Sequence, residues 1–179
     1  MLDSLITSKT RIKLLTRLFL NSNSSGHLRG LQSEFGESSN AIRLELNRFE
    51  QAGLLTSHTE ANRKVYAANT SHPLFPEINS ILRKDLGLDH LIEKIIERLG
   101  RVEEVYLTGD FASGKESMVI EMLIIGEDMN TTYLDELIAK SQSLIRQTIQ
   151  YTILNSDGYS ALAATLKKDR LLLLWERAK

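Results

Sequence analysis

The only two prolines of this 179-residue chain stand three positions apart, Pro73 and Pro76, in "TSHPLFPE". Each lacks an N–H and biases its predecessor away from helix. The stretch therefore reads as a junction, and the length allows two small modules on either side of it. Charge changes across the same point. Residues 1–70 carry nine Lys/Arg against six Asp/Glu, whereas residues 71–179 carry thirteen against seventeen, so a basic module precedes an acidic one. With 42% hydrophobic and 25% charged residues the composition is that of a soluble globular protein. No apolar run approaches the ~20 residues a membrane span needs, and the N-terminal pattern is not that of a signal peptide. The absence of cysteine excludes disulfides and thiolate metal sites and fits a reducing cytoplasm. His27, His58, His72 and His90 are too scattered to suggest a metal site.

Before the prolines, "SKTRIKLLTRLFL" puts Ile12, Leu15, Leu18 and Phe19 on one helical face, with Ser8 as N-cap. "NSNSSG" (21–26) reads as loop. "LRGLQSEF" (28–35) reads as a short helix stopped by Gly36 in a left-handed cap. "SSNAIRLELNRFEQAGLL" predicts a third helix, capped by Ser38 or Ser39, with Ile42, Leu46 and Phe49 inward and Gly53 ending it. Strand-like "LLTSHT" and "RKVYAAN" follow around "EANR". Three helices and then a hairpin is the order of a winged helix-turn-helix.

With that face buried, the third helix turns Ser39, Asn40, Arg43 and Asn47 outward. Arg43 suits guanine edges, and Asn40 and Asn47 suit adenine edges, in a DNA major groove. Ser38 and Ser39 at the helix start suit a phosphate. Asn62, Arg63 and Lys64 at the hairpin tip suit the flanking backbone or minor groove, and Arg29 suits a phosphate from the second helix. The plain alternative is a solvated helix face and a polar turn. Residues 5–80 also resemble winged-helix transcriptional regulators of the ArsR-like type, through "SKTRIKLLTRLFL", "LELNRFEQAGLL" and "NRKVYAANTSHPLFPE". That resemblance implies pseudo-palindromic operators in double-stranded DNA and a homodimer. Metal sensing is not expected, because the cysteine or histidine clusters are missing.

After the prolines, "FPEINSILRKDLG" (75–87) and "LDHLIEKIIERLG" (88–100) read as amphipathic helices, each ending in glycine. They pack either between the modules or across a dimer. "VEEVYLT" and "SMVIEMLIIG" (117–126) read as strands, and "TTYLDELIAKSQSLIRQT" (131–148) as a helix capped by Thr131 or Thr132. "YTIL" (151–154) is a further strand, and "SDGYSALAATLKK" a helix with Ser156 or Asp157 near its cap. The run "LLLLW" (171–175) has no period that assigns it. Strands and helices mix here as in a small α/β domain.

"TGDFASGKESMVIEMLIIG" (108–126) superficially offers the phosphate loop G-x-x-x-x-G-K-[ST]. That motif needs a Ser/Thr for Mg²⁺ and a helix opening directly from the loop. Here Glu116 takes the hydroxyl position and a strand follows, so the motif is rejected. Residues 102–126 instead resemble the minimal nucleotidyltransferases of the polymerase-β-like family. Gly109, Ala112, Gly114 and the tail "MLIIG" match the family pattern. The resemblance implies two or three carboxylates holding two Mg²⁺ ions. Position by position, the chain departs from that chemistry. Asp110 replaces the serine, Ser113 the arginine, Val119 the first aspartate and Glu121 the second. The strand around 149–154 supplies no third carboxylate. One alternative stays open, in which Asp110 and Glu121 hold a metal and Lys115 neutralises a phosphate. Otherwise Asp110 is a turn residue, Lys115 a solvated charge and Glu121 a polar surface position.

The expected architecture is α+β. It comprises a winged helix over 1–72, linker helices over 73–100, and over 101–179 a nucleotidyltransferase-like domain with a mixed sheet that has lost catalysis. Expected partners are double-stranded DNA, a second copy of the chain, and an effector or protein ligand. No cofactor, metal or membrane partner is expected, and the location is cytoplasmic. The rivals are a residual metal-dependent nucleotidyltransferase regulated by its winged helix, and an adaptor whose winged helix contacts protein.

Overall fold

The computed structural model describes residues 2–142 and 147–178. The chain divides between Leu86 and Gly87 into two compact units. The segment read as linker helices is shared between them, because α5 (Phe75–Asp85) belongs to the first and α6 (Leu88–Arg98) to the second. Asn79 explains the first assignment. Its side-chain amide donates to the carbonyls of Phe19 and Leu20, both at 2.8 Å, tying α5 to α2.

The first unit runs α1 (Leu2–Leu5), α2 (Lys9–Phe19), β1 (Ser25–His27), α3 (Leu28–Phe35), α4 (Ser39–Gln51), β2 (Leu55–Glu60), β3 (Arg63–Ala68) and α5. Ser8 caps α2 by accepting from the Arg11 N–H, and Ser38 caps α4 by accepting from that of Ala41. Gly36 ends α3 at φ 64° in the left-handed region. The core is built on Leu14, Leu18, Phe19, Leu31, Ile42 and Leu46, all at most 1% exposed. Leu14 replaces the expected Ile12, which is only half-buried. Phe19 meets Phe49 edge-on and stacks on Phe75, at 6.2 and 6.1 Å between centroids. Residues 25–27, expected as loop, form a short strand. β1 pairs antiparallel with β3, giving a three-stranded sheet in the order β1-β3-β2. This is the winged helix-turn-helix arrangement.

One buried charge braces the unit. Glu45 of α4 is 5% exposed. It accepts from Arg11 Nε and Nη2 at 2.9 and 3.3 Å, from Ser8 Oγ at 3.3 Å and from Arg48 Nη1 at 3.2 Å. Burial alone raises its pKa, but the Arg11, Ser8 and Arg48 donors together outweigh that and hold it below the ordinary value.

The second unit runs α6, β4 (Arg101–Thr108), α7 (Gly109–Ala112), β5 (Val119–Glu127), α8 (Thr131–Gln142), β6 (Thr148–Leu154), α9 (Ser156–Ala163), a 3-10 turn (Lys168–Arg170) and β7 (Leu171–Glu176). The sheet order is β6-β5-β4-β7, with β5 and β6 parallel and the other pairs antiparallel. The mixed sheet is thus present, and "LLLLW" is its edge strand on β4. Strand alternation gives the sheet two faces. Tyr151 Oη donates to Asp135 Oδ1 of α8 at 2.7 Å on one, while Tyr106 stacks on Tyr159 of α9 at 5.6 Å on the other. The caps of α8 and α9 fall one residue earlier than expected, on Asn130, which accepts from the Tyr133 N–H, and on Asn155, which accepts from that of Gly158. Residues 143–146 of the helix expected over 131–148 lie outside the described residues, and Thr148 opens β6. Among the described residues no helix is long and apolar enough to cross a membrane.

Candidate nucleic-acid interface

Helix α4 presents its outward face because its inward one is fixed by Ile42, Glu45, Leu46 and Phe49, all buried. Asn40, Arg43 and Asn47 are exposed. The wing rises beside them. Glu60 pairs with Arg63 across a two-residue turn, Ala61–Asn62, at φ 44° and 61°. A two-residue hairpin of this kind needs positive φ at both central positions, which Asn tolerates and Ala adopts at a cost.

Between wing and helix lies a cleft of about 660 Å³ lined by Arg29, Arg43, Asn47, Asn62, Arg63 and Lys64 together with His27 and Tyr66. Six of the nine residues proposed from sequence for DNA therefore share one cavity. Among the described residues neither Arg29 nor Arg43 has a side-chain hydrogen-bond or ion-pair partner. Both guanidinium groups are committed to nothing within the fold.

The other expected contacts are differently engaged. Ser38 Oγ is used by the cap at 3.2 Å, and Ser39 Oγ donates to Gln32 Oε1 at 2.6 Å. Their hydroxyls serve the fold, leaving their backbone N–H groups at the start of α4. Lys64 Nζ donates to Glu50 Oε2 at 2.7 Å and sits 5.1 Å from the Tyr66 ring centroid. Hydrogen bonds from Lys64 and Ser57 hold the Glu50 carboxyl below the carboxylate range. Lys64 thereby braces the wing on α4. Asn40 stays exposed but does not line the cleft.

His27 was not anticipated. Its Nδ1 accepts from the Gly30 N–H at 3.0 Å and caps α3. With Nδ1 accepting, the neutral ring carries its proton on Nε2. That nitrogen lies 3.5 Å from Arg63 Nη1, so two donors face each other in the cleft. A histidine directly before a helix was the available signal, since it can cap as well as bind.

In the second unit a strand–turn–strand runs through β4, α7 and β5. Gly109 takes φ 70°, and a Cβ added there would lie 1.6 Å from Glu121 Oε2. Only glycine lets that carboxylate sit over the turn. Asp110 is engaged by Arg170 Nη2 at 3.1 Å and Lys115 Nζ at 3.7 Å. Ser113 is buried and donates its hydroxyl to the Asp110 carbonyl at 2.8 Å. Gly114 follows at φ 74°. Val119 is half-buried. Glu121 lies between Thr108 and Gln150 in the sheet, so the β6 neighbour is an amide. Among the described residues no group of three or more His, Asp or Glu is placed to hold a metal ion. Arg170 was not anticipated, because its partner lies sixty positions earlier.

No family model and no curated protein matches the chain. Among solved structures it is similar to reduced HlyU from Vibrio cholerae N16961, at 18% identity and TM-score 0.38, over 49% of this chain and 83% of that one. It is also similar to a predicted DNA-binding transcriptional regulator from E. coli, at 24% identity and TM-score 0.35, over 49% and 87%. A proposed nucleotidyltransferase from Sulfolobus solfataricus is similar at 22% identity and TM-score 0.36, over 56% of this chain and 86% of that one.

Proposed function

We propose that the chain is a sequence-specific, DNA-binding transcriptional regulator. Its winged helix reads the major groove of double-stranded DNA, and its second unit keeps a nucleotidyltransferase-like frame without the catalysis. The observation that carries the reading is the cleft in which Arg29, Arg43, Asn47, Asn62 and Arg63 converge on the exposed side of α4 and its wing. Arg43 reads guanine, and Asn40 and Asn47 read adenine. Arg29, Arg63 and the His27 Nε2–H hold phosphates, as do the N–H groups at the start of α4. Two copies bind a pseudo-palindromic operator on half-sites about 34–36 Å apart, in the cytoplasm.

Phosphate contacts carry a testable signature. Each releases counterions, so the slope of log K against log[salt] falls by ~0.9 when one is lost. Arg29→Ala and Arg63→Ala each flatten that slope by about this amount and weaken binding to every duplex alike. Affinity measured across a salt series checks it. An unchanged slope in both variants contradicts the placement.

For the second unit, loss of catalysis is supported by Val119, which cannot ligate a metal, by the Gln150 amide beside Glu121, and by Asp110 already paired with Arg170 and Lys115. The unit then serves dimerisation or binds an effector or protein. The test is transfer from radiolabelled nucleoside triphosphates with Mg²⁺. No transfer above background is expected. Transfer abolished by Glu121→Gln overturns this part of the reading.

A further inference from the structure

The outward face of α4 is polar except at one point. Leu44 is 53% exposed. At 3.6 residues per turn it projects within roughly 60° of both Asn40 and Asn47, so it stands near the middle of the exposed face and not at its edge. Isolated surface leucines are ordinary. This one differs in its surroundings. The long polar side chain one turn on is drawn away, Arg48 to Glu45 at 3.2 Å. Leu44 therefore offers its methyl groups outward between Asn40 and Arg48, about 100° around the helix from Arg43. On the floor of a major groove the thymine 5-methyl is the one apolar group a base edge presents.

We propose that Leu44 is a specificity residue that reads a thymine methyl in each half-site, next to the base read by Asn40. The inference rests on the proposed DNA-binding function and adds a base preference to it. Water leaves both apolar surfaces on contact. Burying about one methyl group corresponds to roughly fourfold in affinity.

The experiment uses the full chain. Duplexes are enriched from a random pool, and in the preferred sequence each thymine is replaced singly by uracil, which removes only the methyl group. One thymine per half-site is expected to show a loss of about fourfold on replacement. Leu44→Ala, confirmed folded by an unchanged melting temperature, is expected to bind the thymine and uracil duplexes equally. If the wild type is indifferent to uracil everywhere, or Leu44→Ala keeps the wild-type thymine-to-uracil ratio, the assignment is wrong while DNA recognition stands. If no sequence is enriched at all, the DNA-binding reading and this inference fall together.

Discussion

Replacing Arg43 by alanine is expected to lower affinity for the preferred duplex by ~1–3 kcal/mol, or roughly 5- to 150-fold, without changing the melting temperature. The size follows from what the residue does and does not do in the free protein. Its guanidinium is exposed on α4 and lines the cleft beside the wing. Among the described residues it has no carboxylate partner, so its removal breaks nothing in the fold. All of the loss should appear on binding. The loss should also be uneven across sequences. A bidentate contact to guanine rewards one base at one position, so the variant discriminates less at that position and as well as before at the others. Equilibrium binding to a panel of duplexes, each altered at one base pair, makes the comparison. A uniform loss at every position would assign Arg43 to the phosphates instead.

Glu45→Gln is expected to destabilise the first unit by ~1–3 kcal/mol near neutral pH. The amide is too weak an acceptor for the donors that converge there, Arg11, Ser8 and Arg48. The figure stays below the full cost of breaking a buried pair because Arg11 is 36% exposed and partly screened by water. The pH dependence has a definite sign. The folded-state pKa of Glu45 lies below its ordinary 4.5. Its contribution is therefore complete above that value and is lost as pH falls through the folded one. Thermal unfolding of wild type and variant should differ at pH 7 and converge as the solution is acidified below about 4.5. A constant difference across that range contradicts the assignment. Because Glu45 fixes the rotation of α4 against α2, the variant also tests whether that brace positions the outward face.

Local chemistry explains which parts of this fold are readable from the chain. Ile42, Leu46 and Phe49 recur at helical spacing, so the inward face of α4 and hence the outward Arg43 and Asn47 follow from the sequence. Ser8, Gly36 and Ser38 act within one turn of their own helices, and they too are legible. The misses need a partner from elsewhere. β1 is Ser-Gly-His, with no strand propensity, and it exists because β3 pairs with it some forty residues later. "LLLLW" has no alternation to separate strand from helix until β4 is beside it. Leu14 displaces Ile12 from the core because α5 and the sheet, more than the helix pattern alone, decide which side of α2 is covered.

The candidate site divides the same way. Arg29, Arg43, Asn47, Asn62, Arg63 and Lys64 were identifiable by type and position, but their meeting in one cleft depends on the wing standing beside α4. Lys64 shows the limit of reading by type. A lysine at a wing tip suits phosphate, yet Glu50, in the last turn of α4, claims it at 2.7 Å. In the second unit Asp110, Val119 and Glu121 are legible as departures from the pattern they resemble. That Asp110 is held by Arg170 is not, because the ion pair joins the turn after β4 to the turn before β7.

Protection mapping of the full chain across the genomic DNA of its source decides whether the winged helix reads DNA sequence. Discrete protected sites that share a two-fold-related sequence are expected, with Arg43→Ala losing preference at one base of each half. Folded protein that protects no discrete site, or protects DNA without sequence preference at physiological salt, would contradict that reading.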